Sequence, residues 1–74
     1  MKTRFPAENP TTEQIVAARQ LTGLDQLTAA RYAGLDKQQR WSEYERGVRT
    51  IDNVRWQWFL LQVGLHPKLM LEVR

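Results

Sequence analysis

The sequence has no cysteine, so neither a disulfide nor a thiolate-held metal can staple the fold. It has one histidine, His66, which stands next to Pro67 and pairs with no carboxylate in a recognisable motif. There is also no Gly-rich phosphate loop and no metal-ligand cluster, so the expectation is a protein that is not an enzyme and carries no cofactor or metal. No run approaches the roughly 18 apolar residues of a membrane span, and no signal-peptide hydrophobic stretch opens the chain. A soluble, cytoplasmic protein with no membrane partner is therefore expected, and no small-molecule ligand is evident.

What is present must fold without those aids. Seventy-four residues allow one domain, near the lower limit for an unaided hydrophobic core. With 42% hydrophobic residues and three tryptophans, the chain must rely on dense helix packing, on a partner subunit, or on both. The net charge is +3, and its distribution says more than its total. Residues 1–30 balance at zero, while residues 31–58 carry six basic and four acidic side chains. The excess comes from Arg31, Lys37, Arg40, Arg46, Arg49 and Arg55. This is the footprint of phosphate contacts, and a charged solvated face would share it.

Residues 1–10 hold Pro6 and Pro10 and show no periodicity, which predicts a flexible, extended arm; its Lys2 and Arg4 are either candidates to reach phosphate or a minor groove or incidental charges on a disordered terminus. Thr11 and Gln14 have the spacing of a capping box, so a first helix should begin there and run to about residue 22, stopped by Gly23. Ile15, Ala18 and Thr22 share one face of it. A second helix begins near Asp25 or Gln26, either of which can cap its open amides.

The chain is organised around residues 24–47. Ala29, Ala30 and Ala33 are small enough for two helices to approach closely, and Gly34 can take the left-handed conformation that closes a helix. Leu35 should plug the core from the turn and Asp36 should cap a third helix over residues 37–46, with Trp41 and Tyr44 facing inward. Lys37, Gln38, Gln39, Arg40, Ser42 and Glu43 are left outside. Glutamine can pair with an adenine edge, and lysine and arginine suit guanine or phosphate, so such a helix is fit to enter a major groove. A polar, solvated helix face has the same composition.

This segment resembles the Xre, Cro and lambda-repressor-like family of helix-turn-helix domains, and the resemblance spans residues 12–65. Ile15, Arg19, Gly23 and Leu24 resemble the family's first helix, and the aromatic-Glu-x-Gly ending is present as Tyr44, Glu45, Arg46 and Gly47. The resemblance implies a structural ion pair between Arg19 and Glu45. It places base reading on Gln38, Gln39 and Glu43, and phosphate contacts on Gln26, Lys37, Arg40, Ser42 and Arg49. The chain carries one residue more than the usual family spacing between Gly34 and Gly47, near Leu35 and Asp36, which leaves either Lys37 or Gln38 as the first base-facing side chain.

After Gly47, Asp52 can cap a fourth helix over Asn53–Val63, stopped by Gly64. Its pattern is two-faced. Ile51, Val54, Trp58, Leu61 and Leu65 fall on one side, and Trp56, Phe59, Leu60 and Val63 on the other. One small domain has core enough for one of these faces. The second, read as Trp56, Phe59, Leu60 and Val63, is expected to pair with another copy of the chain, with the tail folding back over it as the alternative. The ending Gly64, Leu65, His66, Pro67 resembles one seen in a mobile-element branch of the family, and residues 69–73 alternate weakly enough to be a short strand or helix.

The expected fold is thus all-α, a bundle of four to five helices containing a helix-turn-helix. The domain spans residues 11–65, and a tail at 66–74 is a further candidate for the dimer interface. The expected function is a dimeric, sequence-specific regulator of double-stranded DNA that represses from an inverted-repeat operator, by resemblance in a phage, plasmid or anti-CRISPR-associated operon. A protein-interaction module on the same fold, such as an antitoxin or assembly factor, is the alternative.

Overall fold

The computed structural model of the chain describes residues 5–67. Among them are four helices: α1 (Thr12–Leu21), α2 (Gln26–Tyr32), α3 (Gln38–Arg46) and α4 (Asn53–Val63), with no strand. α3 packs against α1 and α2, and α2 packs against α4. The fold is all-α, as the residue pattern predicts.

The starts and stops follow from local chemistry. Thr11 and Gln14 form a reciprocal capping box, the Gln14 amide donating to Thr11 Oγ1 at 3.1 Å and the Thr11 amide donating to Gln14 Oε1 at 2.8 Å. Asp25 caps α2 by accepting from the Thr28 amide at 2.7 Å. Its carboxyl is held below its ordinary range by the Thr28 backbone bond first and then by the Thr28 side chain, against the opposing effect of burial, with the Arg19 and Arg31 charges adding to the lowering. Asp36 does not cap α3. The residue at that cap is Lys37, in extended backbone and without a side-chain bond, so Asp36 lies one position too early for its carboxylate to reach the open amides. Asp52 stands at the cap of α4 without bonding its amides and instead faces Arg55, 3.6 Å away.

α3 ends at Gly47, whose φ of +77° is open to glycine at little cost. A Cβ there would also approach Thr12 Cγ2 to 3.3 Å. Ala29, Ala30 and Ala33 are fully buried where α2 meets its neighbours, which explains their size. Trp41, Trp56, Phe59 and Leu60 are the largest fully enclosed side chains. The rings of Trp41 and Phe59 lie 4.7 Å apart and join α3 to α4.

Two expectations are corrected here. The face of α4 assigned to a dimer partner is the one the chain buries in itself: Trp56, Phe59 and Leu60 are each 0% exposed, and Val63 packs against the same core. The outward stripe is Val54 and Trp58, 78% and 47% exposed, with Leu61 half-buried beside them. Aromatics from outside α4 meet the buried stripe: Phe5 of the arm packs edge-on against Trp56, and Trp41 of α3 packs against Phe59. Ile51, grouped with that stripe when the stripe was expected in the core, is buried, and it precedes the helix.

The second correction concerns the arm. Residues 5–10 form no helix, yet they are docked: Phe5 is buried edge-on against Trp56, whose Nε1 donates to the Pro6 carbonyl at 2.7 Å. The Asn9 amide also donates to Asn53 Oδ1 at 2.8 Å. One aromatic followed by a proline is enough to pin an irregular segment that has no periodicity to announce it. Lys2, Arg4 and the tail from residue 68 onward lie outside the described residues.

Candidate nucleic-acid interface

α3 is fixed from its inner side. Trp41 and Tyr44 are buried at i, i+3, and Glu45, one position further round, closes the seam to α1. Arg19 Nε donates to Glu45 Oε2 at 2.5 Å and Arg19 Nη2 to Oε1 at 3.3 Å, so the ion pair implied by the family resemblance is present. Trp41 Nε1 donates to Oε2 at 2.7 Å, and Gln26 Nε2 to Oε1 at 3.0 Å. Burial of Glu45 pushes its carboxyl up, but the bonds from Arg19, Gln26 and Trp41 together with the guanidinium charge outweigh this and hold it below its ordinary range.

With that side locked, the opposite side of α3 faces out. Gln38, Gln39, Arg40 and Arg46 are exposed, and Ser42 and Glu43 are half-buried. At 100° per residue, Gln39, Ser42, Glu43 and Arg46 form the outward stripe, flanked by Gln38 on one side and Arg40 on the other. Lys37 is the cap and Gln38 the first helical residue. α3 thus begins at Gln38, with Lys37 one position before it.

Gln38 is also braced. Its Nε2 donates to Gln26 Oε1 at 3.3 Å, so the amide of Gln26 is engaged at both ends, by Glu45 and by Gln38. Gln26, expected at a phosphate, thus serves first as a strut between the core ion pair and the head of α3.

On the other flank is a cleft of about 540 Å³ between the α2–α3 turn, α3 and the loop before α4. Lys37, Arg40, Arg49 and Arg55 converge on it, along with Asp36, Gln39 and Glu43. Arg40 and Arg49 both point Nε at Glu43 Oε1, at 3.4 and 3.2 Å. Glu43, expected among the base readers, instead has a side chain only 18% exposed and acts as counter-ion to two arginines. A carboxylate on a basic surface finds the nearer cations before it finds a base. Ser42 stands half-buried on the Gln38 side of the helix.

Two cations were missed as individual site residues. Arg55 reaches back from α4 to donate to the Ala33 carbonyl at 2.6 Å and lines the cleft, and Arg46 shares the outward stripe with Gln39. Both belong to the charge excess of residues 31–58, which was the signal available, although their directions depend on how the helices are seated. No helix among the described residues is long and apolar enough to cross a membrane. No protein-family model, curated protein or solved structure matches the chain.

Proposed function

We propose that the chain is a sequence-specific regulator that binds double-stranded DNA through α3, in the manner of the Xre, Cro and lambda-repressor-like family, and acts from the cytoplasm as a dimeric repressor on an inverted repeat. The observation that carries this reading is the first turn of α3. Gln38 and Gln39 stand exposed there, Gln38 is held in place by Gln26, and Lys37, Arg40, Arg46 and Arg49 surround them.

Nine residues make a helix about 14 Å long, suited to lying in a major groove about 12 Å wide. Gln38 and Gln39 then read base edges, while Lys37, Arg40, Arg49 and Arg55 hold phosphates and set the register. Glu43 keeps Arg40 and Arg49 collected on the free protein and yields them to phosphate on contact. One such helix reads too few base pairs to define an operator, and pairing two copies doubles both the reading and the phosphate contacts. The outward stripe of α4, Val54, Trp58 and Leu61, is the face assigned to that second copy.

Selection from a randomised DNA pool at about 0.15 M salt, where exposed charges are well screened, tests the reading. An enriched inverted repeat is expected. Absence of enrichment would favour the second reading, a protein-interaction module, for which the exposed Val54 and Trp58 speak. Salt separates the two: DNA affinity should fall steeply as salt rises, whereas an apolar interface should barely respond.

A further inference from the structure

The charged cleft beside α3 is larger than contact with a DNA backbone requires. A backbone phosphate is met from outside by cations on a surface, whereas this cleft has a volume of about 540 Å³, within the roughly 300–1,000 Å³ typical of small-molecule sites. Its walls come from the α2–α3 turn, α3, the loop after it and the first turn of α4.

The arginines in it are fixed at one end and open at the other. Arg49 Nε donates to Glu43 Oε1 at 3.2 Å, and Arg40 Nε lies 3.4 Å from the same oxygen. Arg55 Nη1 donates to the Ala33 carbonyl at 2.6 Å. A guanidinium has five N–H donors, and among the described residues no hydrogen bond engages the terminal nitrogens of Arg40 and Arg49 or Nη2 of Arg55. These planar forks are held in place before a ligand arrives, which lowers the entropy lost on binding. Lys37 stands exposed at the cap of α3 on the same cleft.

Charge selects the class of occupant. Lys37, Arg40, Arg49 and Arg55 bring four positive charges and Asp36 and Glu43 two negative ones, which leaves the lining at +2. A backbone phosphodiester carries a single negative charge, a phosphate monoester about two, and a diphosphate more. Among the described residues Leu35 is the one large apolar side chain lining the cleft, so its occupant is held by charge and not by apolar burial.

We propose that this cleft binds a small molecule carrying a diphosphate group, and that the bound ligand releases DNA. Gln39, a base reader in the proposed function, lines the same cleft, and the ligand engages the arginines that would hold the DNA backbone. One set of side chains serves one anion at a time, so each ligand weakens the other by the same factor. The site itself stands on the geometry of the cleft. The release of DNA rests on the DNA-reading assignment of α3, so the test begins without DNA.

Inorganic pyrophosphate is the probe, titrated into the full chain by calorimetry at a fixed ionic strength of about 0.15 M so that screening stays constant. One saturable site is expected, with backbone amide resonances moving at residues 34–40 and at Arg49. Dimethyl phosphate, the diester unit of a DNA backbone, should bind at least about tenfold more weakly, and Arg49→Gln should weaken pyrophosphate by about tenfold, the weight of one charge-assisted hydrogen bond. Arg31→Gln removes the same charge outside the cleft and should leave pyrophosphate affinity as it was. Absence of saturation, or equal losses in Arg31→Gln and Arg49→Gln, would overturn the site. ADP binding tighter than pyrophosphate identifies a nucleotide as the source of the diphosphate, and equal binding identifies the inorganic group. In the second arm, pyrophosphate should weaken binding to the selected DNA more than chloride does at the same ionic strength, and equal effects of the two salts would overturn the release. A chain that binds pyrophosphate at one site but selects no DNA sequence would keep the site and remove both the DNA reading and the release built on it.

Discussion

At the scale of single residues, Glu45 carries the most consequence. Its carboxyl is held below the ordinary value of 4.5, burial being outweighed by its hydrogen bonds and by Arg19. A carboxyl depressed on folding contributes stability above its unfolded value and loses it as pH falls through the folded one. The urea midpoint should therefore hold from pH 7 to about 5 and decline below 4.5, with Asp25 adding in the same direction. Arg19→Met leaves the carboxylate uncompensated and should cost about 3 kcal/mol at pH 7, the low end for a broken buried pair because Arg19 keeps part of its side chain in water. The same variant should show a flatter acid limb. Urea unfolding at pH 7, 5, 4 and 3 measures both, and a variant that tracks the wild type would remove Glu45 from the centre of the network.

At the scale of elements, α4 shows how two apolar stripes on one helix are told apart. Trp56→Ala should cost about 3–5 kcal/mol, because it empties a fully enclosed site between Phe5 and Phe59. Trp58→Ser should change the unfolding of the isolated chain by no more than about 0.5 kcal/mol. Denaturation at low protein concentration compares them, and the reverse order would mean α4 is seated the other way round. The end of α3 offers a second check. Gly47→Ala forces a side chain into left-handed backbone and toward Thr12, and should cost about 1–2 kcal/mol without altering helix content by circular dichroism.

At the scale of the whole molecule, specificity and affinity should separate. Gln38→Ala with Gln39→Ala should remove discrimination among DNA sequences and leave the fold and residual nonspecific binding intact. Arg49→Ala should weaken binding uniformly across sequences and lower the slope of log affinity against log salt by about one. Trp58→Ser, almost neutral for the single chain, should yield monomers by sedimentation and weaken operator binding, since each copy would then bind its half-site alone. A titration of the variants across salt concentrations distinguishes the three, and identical slopes for Arg49→Ala and wild type would take Arg49 off the phosphate.

Local chemistry written into consecutive residues determined the helices of this protein: the Thr11–Gln14 box, the Asp25 cap, and glycines at the stops left the four segments few alternatives. The order of residue types also placed Trp41 and Tyr44 inside and Gln38 and Gln39 outside, because one turn of helix sets their angular separation. The Arg19–Glu45 pair was legible only through resemblance, since no local rule links positions 26 apart. What tertiary structure alone decided was the choice between alternatives that are equal along the chain. The two faces of α4 are similarly apolar, and only the aromatics brought from elsewhere, Phe5 against Trp56 and Trp41 against Phe59, determined which one turned inward. Glu43 looked as free as Gln39 until the loop brought Arg49 within 3.2 Å of it. Gln26 looked like a cap residue until Glu45 and Gln38 arrived from another helix to occupy both ends of its amide. Helix caps and face angles depend on neighbours a few residues away, whereas burial and hydrogen-bond pairing depend on which distant groups packing delivers.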